Sequence, residues 1–198
     1  MYPVAFAVVE KETRDAWTWF LKFLKDDLSM SNDYSYTFIS DKQIGLLEAV
    51  KDIFPNSEHR NCPRHLYNNF KGDGHIGAEL KELFWAAARS TTKAWFEKNM
   101  DTICVKSSSA WNWLRARPAE QWSRSYFKTE HKCDILLNNH CESYNSKLLE
   151  GRKMPILGLL EEMRMNMMIR HANRRCAGMR WKNKVGPRIE KILKKNAD

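Results

Sequence analysis

The first part of the chain places a continuous apolar run before an amphipathic stripe. Residues 2–9 are apolar, β-branched or aromatic without interruption, which is typical of a strand buried on both faces. Apolar residues then recur at i, i+3, i+4, i+7 and i+11, which predicts an amphipathic helix capped by Thr13 or Asp15. The apolar positions of that helix are Trp17, Phe20, Leu21, Leu24 and Leu28.

Two further strands and two helices follow this first pair of elements. Residues 36–39 predict a short strand, and residues 44–53 predict a helix that Pro55 ends. Residues 57–60 predict a third strand, and Pro63 suits the first turn of the helix after it. Strands that alternate with helix-length crossovers predict a parallel α/β core.

Only helical patterns remain beyond Gly74. Residues 76–117 carry helical apolar stripes and no convincing strand. We interpret Trp111, Trp113 and Trp122 as core residues of a helical module, the alternative being a platform for stacked bases. The chain is therefore α/β in its first third and helix-rich, or α+β, by overall content.

Two more helices are expected in the last third. Asn138 or Asn139 is placed to cap one helix, and Pro155 to open another. The second helix contains several methionines, which we interpret as adaptable packing residues in preference to ligands. They are Met163, Met165, Met167 and Met168.

Positive charge is concentrated at the carboxyl end. The chain has 198 residues and a formal net charge of +9, from 33 Lys and Arg against 24 Asp and Glu. From residue 170 onward there are ten basic and two acidic residues, so this segment accounts for nearly all of the net charge. It is interpreted as a surface for polyanions, the alternative being a solvated helix face. The candidate nucleic-acid contacts are Arg170, Arg174, Arg175, Arg180, Lys182 and Lys184.

Composition excludes some classes of protein. No apolar run reaches the roughly 18–20 residues that span a bilayer, so no membrane partner is expected. The five cysteines have no framework spacing, which favours a reducing intracellular setting over a disulfide scaffold.

Two acidic residues stand out as candidates for chemistry. Asp41 directly follows a predicted strand, and ligands of open parallel sheets bind outside the carboxyl ends of strands. The alternative is that Asp41 caps the next helix. Glu142 falls in the first turn of a predicted helix, where the alternative is a favourable interaction with the helix dipole. Only a fold that returns the chain to the sheet would bring the two together.

Six blocks of residues, in order, resemble plant Mutator-like element (MULE) transposases. The similarity runs from residue 2 to about residue 170, and ordered blocks are more specific than any one of them. The blocks are residues 2–10 (YPVAFAVVE), 17–21 (WTWFL), 38–43 (FISDKQ), 58–70 (EHRNCPRHLYNNF), 122–127 (WSRSYF) and 132–145 (KCDILLNNHCESYN).

The resemblance implies a ribonuclease-H-like nucleotidyl transferase with a DDE set of acids. Asp41 corresponds to the second Asp and Glu142 to the final Glu, and both would be catalytic and metal-binding. Such acids hold Mg²⁺ or Mn²⁺ ions in the family. Cys62 and His65 correspond to the family's Cys-x-x-His element. Even with His59 as a third ligand a structural zinc site would lack its fourth, so zinc is not expected.

The resemblance also implies a domain organisation. We expect an incomplete ribonuclease-H-like core of about three strands, with an all-helical insertion and a helical carboxyl-terminal part. Residues 1–72 would be the partial core, equivalent to strands 3–5, and residues 73–137 the helical insertion. Residues 138–172 would be core helices that carry the final Glu, and residues 173–198 a basic tail.

One departure from the family pattern bears on activity. The sequence begins at what corresponds to the third strand of the core, so the first catalytic Asp is not among its residues. We therefore expect a truncated transposase that binds metal poorly, is catalytically inactive as an isolated chain and retains non-specific DNA binding. An upstream exon or a partner chain that supplies the Asp is the alternative that would restore catalysis.

A different functional class is also open. A domesticated transposase would be a nuclear regulatory or protein-interaction protein, related to the far-red-response regulators of plants. In either case the expected location is the nucleus, and DNA is the expected partner. A full-length transposase or a second copy of the chain would be a further partner.

Overall fold

The computed structural model describes residues 3–41, 43, 45–183 and 185–197. These residues form two compact units. The first unit extends from Ala5 to His140, and the second consists mainly of the residues from Cys141 onward. Each unit is described by itself.

The first unit begins with alternating helices and strands. These are α1 (Arg14–Asp27), β1 (Thr37–Ser40), α2 (Leu46–Ile53), β2 (Glu58–Asn61) and α3 (Pro63–Gly72). The two strands pair in parallel, in the register that sets each β1 residue opposite the β2 residue 21 positions later. The predicted parallel pairing of these two strands is confirmed.

Local sequence explains where the first elements begin. The side chain of Thr13 accepts a hydrogen bond from the backbone N–H of Ala16, so the predicted cap of α1 is confirmed. Gly45 precedes α2 with a φ of +85°, and a Cβ there would lie 2.7 Å from the backbone nitrogen of Arg14. This close approach of α1 to the start of α2 therefore requires glycine.

The sheet and its helices share a small apolar core. Leu21 of α1 and Val50 of α2 are buried in it, and Phe38 of β1 lies 4.7 Å from Phe54, ring centroid to centroid. Burial of these side chains is the main force that holds the helices on the sheet.

A helical module follows the sheet within the same unit. It consists of α4 (Ala78–Arg89), α5 (Lys93–Lys106) and α6 (Ser108–Arg115). Trp122 is 1% exposed and stacks on Phe84 with 5.7 Å between ring centroids. The interpretation of Trp122 as a core residue is confirmed, and the other two tryptophans, Trp111 and Trp113, pack half-buried against the same cluster.

Helices are the regular secondary structure of the second unit within its described residues. Helix α7 (Asn139–Lys147) starts at the end of the first unit and continues into the second, and α8 (Ile156–Met179) and α9 (Pro187–Ala197) follow. Met163 is buried, but Met165 is 43% exposed, so packing accounts for only part of the methionine cluster. None of the helices described is both long enough and apolar enough to cross a membrane.

The prediction of a buried strand over residues 2–9 is wrong. Residues 3–9 form no strand, and Val4 and Val8 are 72% and 51% exposed. An apolar run becomes a strand only where a neighbouring strand satisfies its backbone groups, and the composition of the run cannot show that neighbour. The described residues thus form a helix-rich α+β fold with two strands, where three were predicted.

Candidate functional site

Asp41 lies at the carboxyl end of the parallel sheet. It directly follows β1 and is exposed to solvent. The residue that caps α2 is Gly45, so the alternative interpretation of Asp41 as a helix cap is wrong. An exposed carboxylate at this edge of a sheet is a suitable oxygen ligand for Mg²⁺ or Mn²⁺.

A polar pair lies beside Asp41. The preceding residue, Ser40, is buried, and its Oγ lies 2.8 Å from Nε2 of His59 on β2. Burial lowers the pKa of His59 below its ordinary value because the charged imidazolium loses solvation. The neutral imidazole is therefore favoured next to the predicted metal ligand.

Glu142 lies in the first turn of α7 and is half-buried. An acidic residue in this position interacts favourably with the helix dipole, whether or not it binds a metal. Asp41 belongs to the first unit and Glu142 to the second, so each unit by itself contains one of the two predicted ligands. The shared metal site of these carboxylates stays a prediction.

The Cys-x-x-His element lies at the start of α3. Cys62 is the residue before the helix and is buried, and its Sγ accepts a hydrogen bond from the backbone N–H of Asn138 at 3.4 Å. His65 is in the first turn and half-buried. His59 projects from the opposite face of β2 to Cys62, since strand side chains alternate, and this disfavours a site that joins them.

A buried ion pair is the feature of this region that sequence reasoning missed. Glu58 and Arg60 on β2 are 6% and 1% exposed, and Nη2 of Arg60 lies 2.6 Å from Oε2 of Glu58. Opposite charges two residues apart in a predicted strand share a face, and that spacing was the available signal.

The predicted nucleic-acid contacts lie on and after the carboxyl-terminal half of α8. Arg170 is half-buried, and the other contacts within the described residues are exposed. Lys184 lies outside the described residues. The exposed members are Arg174, Arg175, Arg180 and Lys182.

Helix α9 adds further positive charge to the second unit. It contains four basic residues and one carboxylate, that of Glu190, which pairs with Lys194 at 2.9 Å. Arginine and lysine side chains exposed in this way contact phosphate groups readily, because the contacts need no burial of either partner.

Comparison of the sequence with models of known protein families finds a match to one family. Residues 1–69 match the family model described as the MULE transposase domain, and the search of curated proteins gives no match. The matched segment includes β1, Asp41, β2 and the Cys-x-x-His element. The resemblance to MULE transposases found in the sequence is confirmed over these residues.

Proposed function

We propose that this chain is a transposase-derived protein that binds DNA through its phosphates and does not transfer strands by itself. The match of residues 1–69 to the MULE transposase domain carries the proposal. The exposed basic residues of the second unit support the DNA-binding part. Phosphate contacts supply affinity without sequence preference, so unrelated duplexes should bind alike.

The proposed fold is an incomplete ribonuclease-H-like core. The parallel pair β1 and β2, with helices between and after the strands, supports this assignment. In such a core two divalent cations activate a water or a 3′-hydroxyl and stabilise the leaving oxygen. Asp41 and Glu142 would be the ligands from this chain, with Mg²⁺ or Mn²⁺ as the metal.

The proposed lack of catalysis rests on the number of suitable carboxylates. The other early candidates, Asp15, Asp26 and Asp27, lie on α1 and are exposed, whereas the first Asp of the family pattern lies on a strand. The part of the chain that the structure describes therefore offers candidates for two of the three acids. Two ligands in place of three weaken metal binding and the placement of the reacting oxygens.

Metal-dependent cleavage tests this part of the proposal. The chain would be incubated with labelled duplex DNA and Mn²⁺ or Mg²⁺, beside Asp41→Asn, which keeps the shape of the side chain and removes its charge. We expect the wild type and Asp41→Asn to give the same background level of DNA cleavage. Cleavage that needs the metal and disappears in Asp41→Asn would refute the proposed inactivity.

The DNA-binding part has its own test. Affinities for several unrelated duplexes of equal length would be compared at one salt concentration, and we expect them to agree within a few-fold. A strong preference for one sequence would contradict the proposal. Binding of this kind fits a nuclear protein, and we propose the nucleus as the location.

A second function, protein interaction, is favoured by the exposed apolar side chains of the second unit. Leu157 and Met179 on α8 are 78% and 79% exposed. Sedimentation over a hundredfold range of concentration tests it. Self-association that Leu157→Ser reduces and Asp41→Asn leaves unchanged would favour the interaction protein. A monomer at every concentration would favour the DNA-binding function alone.

A further inference from the structure

One face of β2 is buried under a later part of the chain. Side chains alternate along a strand, so Glu58, Arg60 and Cys62 project from the same face. Cys62 continues the ladder because its backbone N–H donates to the carbonyl oxygen of Ser40 at 2.7 Å. The segment that covers the face is residues 127–138, which we call the connection because it leads into α7.

Glu58 fixes the start of the connection. Its Oε1 accepts a hydrogen bond from the backbone N–H of Lys128 at 2.9 Å, and its Oε2 accepts from Arg60. Thr37, the register partner of Glu58 on β1, also donates to Oε2, at 3.3 Å. The carboxylate is thus held from two sides and cannot turn away from the connection without losing these bonds.

Arg60 fixes the middle of the connection. Its Nη1 donates to the carbonyl oxygens of Cys133 at 2.8 Å and Ile135 at 3.2 Å. Its guanidinium carbon lies 3.7 Å from the ring centroid of Phe127. A planar guanidinium can serve two carbonyls, a carboxylate and an aromatic ring at once, which an ammonium group cannot.

Cys62 fixes the end of the connection through its sulfur and the N–H of Asn138. Residues 133–138 have no regular secondary structure. The side chains of Arg60 and Cys62 therefore form hydrogen bonds with backbone groups that a strand ladder or a helix would satisfy elsewhere. The attachments follow the same order along β2 and along the connection. They join Glu58 to Lys128, Arg60 to Cys133 and Ile135, and Cys62 to Asn138.

We propose that Glu58, Arg60 and Cys62 act together as positioning residues for the connection. This face of β2 sets the path of residues 127–138 and thereby the point at which α7 begins. This role explains why Glu58, Arg60 and Cys62 occupy alternate positions of the EHRNC block. It goes beyond DNA binding and does not depend on it.

Hydrogen exchange of the full-length chain tests the proposal, because it reports each segment separately. In Arg60→Met we expect the exchange of the amides of residues 128–138 to be accelerated at least tenfold more than that of the amides of α4 and α5, which report the global loss of stability. Arg14→Met is the matched control, since Arg14 is an exposed arginine that pairs with Asp52. We expect it to leave the connection unchanged.

Cys62 provides a milder variant that leaves the buried charges intact. Cys62→Ala removes the acceptor for the Asn138 amide, and Cys62→Ser replaces sulfur with another acceptor. We expect faster exchange at Asn138 in the alanine variant and recovery in the serine variant. Equal exchange in the two variants, or acceleration spread evenly over the first unit in Arg60→Met, would overturn the positioning role.

Discussion

Arg60 donates a hydrogen bond to the carbonyl oxygen of Cys133, which lies 73 residues later in the chain. The same guanidinium pairs with Glu58, and both side chains are almost fully buried. A buried charge has lost its solvation free energy, so it is stable only while its hydrogen-bond and ion-pair partners remain in place. This relationship ties the stability of the sheet to the path of the connection.

Loss of one partner of this ion pair should destabilise the protein strongly. We expect Arg60→Met to lower the free energy of unfolding by about 3–5 kcal/mol, because Glu58 is left buried without a counter-charge. Denaturation by urea, followed by tryptophan fluorescence, measures the change.

The double variant separates the charge effect from lost packing. Adding Glu58→Gln to Arg60→Met removes the orphaned carboxylate, so part of the lost stability should return. A double variant less stable than Arg60→Met by the full cost of Glu58→Gln alone would show that the two residues do not interact.

Substitution in the aromatic core of the helical module should destabilise the protein as strongly as Arg60→Met. Trp122 packs against Phe84 and Phe96, with 5.5 Å between the ring centroids in the second pair. We expect Trp122→Ala to cost about 3–5 kcal/mol of unfolding free energy, because a cavity remains where the ring was. Trp95→Ala, at a tryptophan 48% exposed, is the matched control and should cost much less. Similar costs would contradict the assignment of Trp122 to the core.

Stability should depend on the protonation of His59. Burial lowers the pKa of His59 from its ordinary value of 6.5, so the unfolded chain binds the proton more readily than the folded one. Stability is therefore complete above pH 6.5 and falls as the pH decreases from 6.5 toward the folded pKa. Unfolding free energies at pH 7.5 and at lower pH measure this loss.

A substitution isolates the contribution of His59. We expect His59→Gln to flatten the pH dependence in this range. Equal slopes in wild type and His59→Gln would show that the imidazole is not the group responsible.

Local patterns predicted the elements of the amino-terminal region to within a few residues. The stripe that contains Trp17 and Leu24 gave α1, which ends at Asp27, and Pro63 marked the start of α3. These signals are local, because the apolar face of a helix, a cap and a breaker all lie within a few residues of one another. The placement of Asp41 after a strand was predicted for the same reason.

Contacts between residues far apart in the sequence could not be predicted from those local patterns. The strand predicted over residues 2–9 failed because apolar character does not specify a pairing partner. Arg60 was noticed only as part of a block, since its contacts depend on where the chain returns after the helical module. The packing of Trp122 was predictable because bulky aromatic side chains are buried in most environments.

The salt dependence of DNA binding tests the central proposal most directly. Each phosphate contact contributes about 0.9 to the slope of log K against log salt concentration. A variant with glutamine at Arg174, Arg175, Arg180 and Lys182 should therefore bind more weakly, with a slope shallower by about 3–4. The control removes four exposed lysines of the first unit, Lys22, Lys71, Lys81 and Lys98, and so changes the net charge equally.

The comparison of these two variants distinguishes a phosphate-binding surface from general electrostatic attraction. We predict a steep salt dependence for the wild type, a marked loss of slope in the variant of the second unit, and nearly the wild-type slope in the control. Equal losses in both variants, or wild-type binding that does not weaken with salt, would contradict the proposal that the chain binds DNA through its carboxyl-terminal basic residues.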